Sequence, residues 1–125
     1  MRKERPKYLN LLEIRHPLPA IVSILHRVSG ALLFFPGIPL LLFALESLLS
    51  SPQSYAHVQS VFTHPLCKVG FVFALWLFLH HLLAGIRFLA LDLHYGIEIH
   101  QARLSSKLVL ATGIILALLI GIAIW

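Results

Sequence analysis

The sequence predicts an all-α integral membrane protein, a bundle of three transmembrane helices. Hydrophobic residues make up 58% of its 125 positions and charged ones 12%, with a mean hydropathy of +0.87. A soluble globular domain is nearer 45–50% apolar and roughly 25% charged. The apolar residues also gather into three long segments, each reaching the roughly 20 residues that cross a bilayer core of about 30 Å. Hydrocarbon offers a backbone no hydrogen-bond partners, so each segment is read as a helix. The boundaries predicted are an N-terminal arm over residues 1–17 and an anchor domain over 18–125, with helices at about 18–49, 66–93 and 104–125. What remains outside them is too short for a soluble catalytic domain.

The arm holds five of the ten Lys and Arg residues: Arg2, Lys3, Arg5, Lys7 and Arg15. Arg87, Arg103 and Lys107 form a second group, whereas loop 50–65 has none and Lys68 lies just beyond it. By the positive-inside rule the N-terminus and residues 94–107 are cytoplasmic, and loop 50–65 and the C-terminus are outside. The net charge of +5 is thus a topology signal, and no nucleic-acid partner is expected. A cleaved signal peptide fits badly, because LESLLSSPQS offers no A-x-A pattern. The first span, from Leu18 to Leu49, is interrupted by Ser23, His26, Arg27, Ser29, Glu46 and Ser47. Pro36-Gly37 and Pro39 remove backbone donors within it and predict a kink. SSPQS (residues 50–54) is a turn signal ending that span. The second span carries Lys68, His80, His81, Arg87 and Asp92, and Leu108–Trp125 has no charge at all. Cys67 has no companion for a disulfide or a cysteine-based metal site.

Polar groups in an apolar helix need partners, and VSILHRVSG (residues 22–30) holds several. At about 100° per residue, Ser23, His26, Arg27 and Gly30 share one face about 100° wide, with Ser29 off to one side. A hydroxyl, an imidazole and a guanidinium together offer donors to an anionic or carbonyl-bearing ligand. An arginine that snorkels to lipid phosphates is the bland alternative for Arg27. In FLHHLLAGIRFLALD (residues 78–92), His80 and His81 fall in the cytoplasmic half, with Arg87 and Asp92 nearer the inner surface. An ionisable residue within a span marks a functional site by default. Ala84 and Gly85 follow His81 by three and four residues, which would clear room for a flat macrocycle against the helix. Haem b needs a neutral imidazole nitrogen, an apolar slot and cations for its propionates. His57 and His64 belong to the outer loop and His94 and His100 to the inner one, so a second axial ligand would come from another chain. The residues therefore point to a haem or quinone-type site completed by a partner.

RPKYLNLLEIRHPLPAIVSILHRVSG (residues 5–30) resembles the N-terminal signature of the cytochrome b556 membrane-anchor subunits of succinate dehydrogenase. HLLAGIRFLALD (residues 81–92) is similar to that family's second motif, a His-x-x-x-Gly-Ile-Arg followed by an Asp. The resemblance implies that His81 is an axial ligand to haem iron, with haem b shared with a second membrane-anchor subunit that supplies the other ligand. It implies that Ser23 hydrogen-bonds a ubiquinone carbonyl, that Arg27 lies beside the quinone, and that His26 and Arg27 face a haem propionate. Asp92 is a candidate for passing on protons from the cytoplasm. Succinate chemistry would belong to a flavoprotein subunit with FAD, and electron relay to an iron–sulfur subunit with its clusters. The chain itself would be a multi-pass, lipid-embedded subunit of the bacterial inner membrane, without a catalytic domain of its own. Relatives carry a histidine where this sequence has Phe88, and His80 is a second departure. Two other readings use the same spans: the anchor of a quinol-oxidising fumarate reductase, and a haem-free transporter or scaffold subunit.

Overall fold

A computed structural model describes residues 15–125. Most of the arm assigned to residues 1–17 therefore lies outside the described residues, as do Arg5 and Pro6 of the first motif. The described chain is helical without a strand: α1 (Leu18–Leu32), a π-helical turn (Leu33–Gly37), α2 (Ile38–Ser50), α3 (Pro52–Thr63), α4 (Pro65–Asp92) and α5 (Ile99–Ala123). Three stretches are long and apolar enough to span a membrane: Leu18–Ser50, Pro65–Asp92 and Ile99–Ala123. Their outer surfaces are apolar, as lipid contact requires. Leu49, Ile122 and Phe35 are 81%, 75% and 73% exposed.

The predicted kink is the π-helical turn. A proline ring in regular helix collides with the carbonyl four residues back and supplies no donor to it. Widening the turn lets the Ile38 N–H bond the Leu33 carbonyl instead, five residues back. Gly37 suits the widened turn, because a Cβ there would stand 3.2 Å from the Leu32 carbonyl oxygen. Beyond the turn, α2 packs against α3 and makes no comparable contact with α4 or α5.

Residues 50–65 are helical rather than a loop. Ser51 both ends α2 and caps α3, its hydroxyl accepting from the Ser54 N–H at 3.1 Å, and Pro52 occupies the first turn, where no donor is needed. His64 repeats the device for α4, its Nδ1 accepting from the Leu66 N–H at 3.2 Å ahead of Pro65. A proline after a serine opens a helix here as well as closing one. At the other end of α4, His94 adopts a left-handed φ of 65°. The His94 N–H bonds the Leu91 carbonyl and the Tyr95 N–H bonds the Ala90 carbonyl, which is a Schellman closure. Gly96, at φ 75°, completes the reversal, and α5 begins at Ile99 rather than near residue 104.

The core is small and lies where α1, α4 and α5 meet, at Val22, Ala84 and Val109. Helix α5 buries Ser106, Val109, Gly113, Ala117 and Gly121, a line of mostly small residues three or four apart. Lipid tails give helices no hydrophobic reason to associate, so close backbone approach must supply packing energy. A Cβ on Gly113 would lie 3.7 Å from the His80 Cα, and one on Gly121 would lie 2.8 Å from Val72 Cγ2.

Gln53 in α3 and Gln101 in α5 are both exposed, while Cys67 is half-buried. With Cys67 replaced by serine, a cysteine at Gln53 should react with a membrane-impermeant maleimide in intact cells and one at Gln101 should not. The reverse pattern would invert the orientation read from charge.

Candidate functional site

His81 lies against α1 rather than against open lipid. Its ring stacks on His26 with centroids 4.2 Å apart and planes 7° from parallel. Its Nδ1 is 3.1 Å from the His26 carbonyl oxygen and 3.3 Å from Ser29 Oγ. The ring fits there because residue 30 has no side chain: a Cβ on Gly30 would stand 2.8 Å from His81 Cε1. Gly30, on the face predicted to carry Ser23, His26 and Arg27, thus makes room for this imidazole.

A carbonyl oxygen only accepts, so the proton of a neutral His81 is assigned to Nδ1. A bare Nδ1 would set two lone pairs facing each other at 3.1 Å. Nε2 then carries the free lone pair. A metal-binding histidine is held in this way, one nitrogen donating to a carbonyl and the other free to coordinate. The residues present fit a haem iron at His81.

His80 points elsewhere. It is 1% exposed, beside the α5 backbone at Gly113 and 5.9 Å from the Trp76 ring. Neither ring nitrogen makes a well-formed hydrogen bond. Enclosed by its own chain, His80 cannot meet a group held between subunits. Ala84 is fully buried in the core and Gly85 faces His26, whose Nε2 would be 3.5 Å from an added Cβ. The clearance expected there for a macrocycle is taken up by the chain itself.

The Ser23 stripe is divided. Ser23 and His26 are half-buried and Arg27 is exposed, so this face is open to a neighbour. Ser29, set aside by the angular reading, is 1% exposed, and its hydroxyl donates to the His26 carbonyl at 3.0 Å. It falls seven residues after Val22, on the buried line of α1. That heptad spacing was the signal for it. Arg87 is 7% exposed. Its Nε donates to Ser105 Oγ at 2.9 Å, its Nη2 donates to the Ala102 carbonyl at 3.3 Å, and its guanidinium lies 5.4 Å from the Phe88 ring centre. Asp92 is exposed at the end of α4.

An apolar groove of about 800 Å³ opens between α4 and α5, at Val69, Val72, Trp76, Ile114 and Trp125. Its lining is almost wholly apolar, and it lies at the opposite end of α4 from Gly85 and Arg87. The hydrogen-bonding side chains predicted for a site gather instead at the α1–α4 contact. Among the described residues no three His, Cys, Asp or Glu side chains gather to hold a metal ion.

Residues 1–120 match the family model of the succinate dehydrogenase/fumarate reductase transmembrane subunit. The chain belongs to this family. It is 35% identical to the succinate dehydrogenase cytochrome b556 subunit of Coxiella burnetii, with all of both chains covered. It is 37% identical to the protein of that name from Paracoccus denitrificans, covering 94% of this chain and 90% of the relative, and 29% identical to the one from Rickettsia prowazekii. As a membrane subunit of this family the chain is expected to work in an assembly, which accords with an open Ser23–Arg27 face beside a histidine already oriented from within.

His80 provides a test of the register. An unsatisfied buried polar group costs about 1–3 kcal/mol, and apolar replacement of similar shape removes that cost. His80→Leu should match or exceed the thermal stability of the parent in detergent, whereas His80→Ala should lose about 2 kcal/mol or more by opening a void. A leucine variant clearly less stable than the parent would mean that His80 has a polar partner.

Proposed function

We propose that the chain is a membrane anchor of a succinate:ubiquinone oxidoreductase. On this reading His81 is one axial ligand of a haem b shared with a second anchor subunit, and Ser23 and Arg27 receive ubiquinone. The observation that carries the ligand assignment is the bond from His81 Nδ1–H to the His26 carbonyl, which leaves Nε2 with its lone pair. Haem b, when bound, supplies a one-electron carrier. The chain's own part is to fix the ligand ring by stacking on His26 and by the clearance at Gly30. His26 and Arg27 then lie on the same helix as the groups holding the ligand, suited to a propionate.

The quinone reading rests on the pairing of Ser23 and Arg27, one turn apart on a face left open by this chain. Reduction of a quinone builds negative charge on a carbonyl oxygen before protons arrive. A hydroxyl donor and a fixed cation favour that oxygen most in its charged state, so they stabilise the step more than the binding. Asp92, exposed at the inner end of α4, is suited to take protons from the cytoplasm. The flavoprotein with FAD and the iron–sulfur subunit belong to the same reading, with the assembly in the bacterial inner membrane and the N-terminus inside.

The experiment is to reconstitute the complex with variants of this chain. His81→Ala should abolish or shift the reduced-minus-oxidised b-type band, while His80→Leu should keep it; equal effects would overturn the ligand assignment. Ser23→Ala should lower ubiquinone reduction by about 10²–10³ while succinate oxidation with an artificial acceptor persists. Arg27→Lys should restore only part of the rate lost in Arg27→Leu, because a point charge does not reproduce the planar fork. If Ser23→Ala and Arg27→Lys both reduce ubiquinone at the parent rate in an assembled complex, the face is not the quinone site.

A further inference from the structure

The Nδ1 side of His81 has two acceptors within reach, and only one of them belongs to the backbone. Ser29 Oγ is 3.3 Å from Nδ1 and 3.0 Å from the His26 carbonyl oxygen, which is itself 3.1 Å from Nδ1. The three atoms form a closed triangle. A carbonyl has no proton to give, so the hydroxyl proton of Ser29 lies on the Oγ–carbonyl edge, as it does for a helix serine bonded to the carbonyl three residues back. The lone pairs of Oγ are therefore turned to the imidazole, and the Nδ1–H is shared between carbonyl and hydroxyl. The carbonyl already accepts the helical N–H four residues on, and its remaining lone pair is shared by the Ser29 and His81 donors. Ser29 is 1% exposed, so no water competes for either bond.

We infer that Ser29 is a positioning residue for the haem ligand, setting both the plane and the donor strength of the His81 imidazole through the shared Nδ1–H bond. The inference rests on the reading of His81 as an axial ligand. It does not rest on the quinone assignment, which concerns Ser23 on another face of α1. Two consequences follow. With the Gly30 backbone on one side and the His26 ring stacked on its face, the Ser29 hydroxyl completes a three-sided seat that fixes rotation about the Cβ–ring bond. Accepting from Nδ1–H also leaves more electron density on Nε2, and such outer partners tune a bound metal. A richer Nε2 favours ferric over ferrous iron, so removing one of two acceptors raises the midpoint potential.

The test uses the assembled complex and reads the haem rather than turnover. Ser29→Ala should retain haem, shift its midpoint potential upward and broaden or move the low-spin ferric EPR signal, which reports the orientation of axial imidazoles. Ser29→Thr keeps a hydroxyl at the same position and should return both readouts toward the parent. His81→Ala, measured alongside, separates the two levels of inference. If it loses haem while Ser29→Ala keeps the parent potential and EPR signal, the ligand stands and the role of Ser29 is refuted. If His81→Ala retains a parent-like haem, the ligand reading itself falls and takes this inference with it. Should the alanine variant not assemble, Ser29→Cys substitutes a weaker hydrogen-bonding group of similar size. Its potential must then rise, and an unchanged potential refutes the proposal equally.

Discussion

The contact on which the rest depends is the imidazole of His81 lying against the backbone of α1. It needs an absent side chain at Gly30, since a Cβ there would stand 2.8 Å from Cε1. It also needs a carbonyl to receive a proton, and the His26 carbonyl is available although His26 is inside a helix. In an α-helix that oxygen is already engaged by the N–H four residues on, and its second lone pair accepts from His81 and Ser29. Helix α1 therefore presents a small residue and a doubly used carbonyl within one turn. His–Arg–Val–Ser–Gly meets both requirements, with the His26 ring stacked on the imidazole face and the Ser29 hydroxyl at its Nδ1 edge.

The other intramembrane polar groups show how strictly such demands are met, and where they are not. The Arg87 guanidinium is buried between α4 and α5, bonded to the Ser105 hydroxyl and the Ala102 carbonyl. Ser105 and Ser106 in turn donate to the Ala102 carbonyl at 3.2 and 2.7 Å. The Ala102 carbonyl near the start of α5 thus gathers three side-chain donors. Against that pattern the unpaired nitrogens of His80 stand out. Its burial beside Gly113 is a packing solution: the α5 glycine lets the α4 backbone at His80 come close, and ring contact with Trp76 offsets part of the polar cost.

Much of this was legible in the sequence, because membrane helices are read from length and hydropathy. The three spans and the bend at Pro36 followed from composition and from proline's missing donor, and the succinate dehydrogenase cytochrome b556 resemblance agrees with the matching family. The helical character of residues 52–63 was not legible from breakers alone. Ser-Pro was read as a stop, and a capping serine followed by an N1 proline is the same dipeptide read from the other side. Helix α5 begins early because a reversal built on a left-handed histidine leaves no slack, and histidine rarely signals that conformation. Ser29 was missed for a different reason. The polar stripe of α1 was taken as one ligand face, yet its centre is rotated from the line Val22–Ser29 that faces α4 and α5. Angular spacing gives relative directions on a helix; which direction points inward depends on partners that only the fold supplies.

That rotation also separates two kinds of work along a single helix. The inward edge of α1, at Ser29 and the His26 carbonyl, orients a residue of the same chain, and it is complete without any other subunit. The outward edge, at Ser23 and Arg27, encloses nothing by itself. On the reading proposed above, the ligand geometry is built when this chain folds, whereas the quinone face acquires walls only when neighbours assemble. His26 joins the two edges: its carbonyl faces inward to the ligand while its ring stacks on the same imidazole. A disturbance at the quinone face would therefore reach the haem ligand through one residue, by tilting the stacked ring. Disturbance at Ser29 would act on the ligand directly and leave the outer face unchanged. The outer edge of α1 is thus distinguished by a response at both quinone and haem, the inner edge by a response at the haem alone, although Ser29 lies only six positions after Ser23.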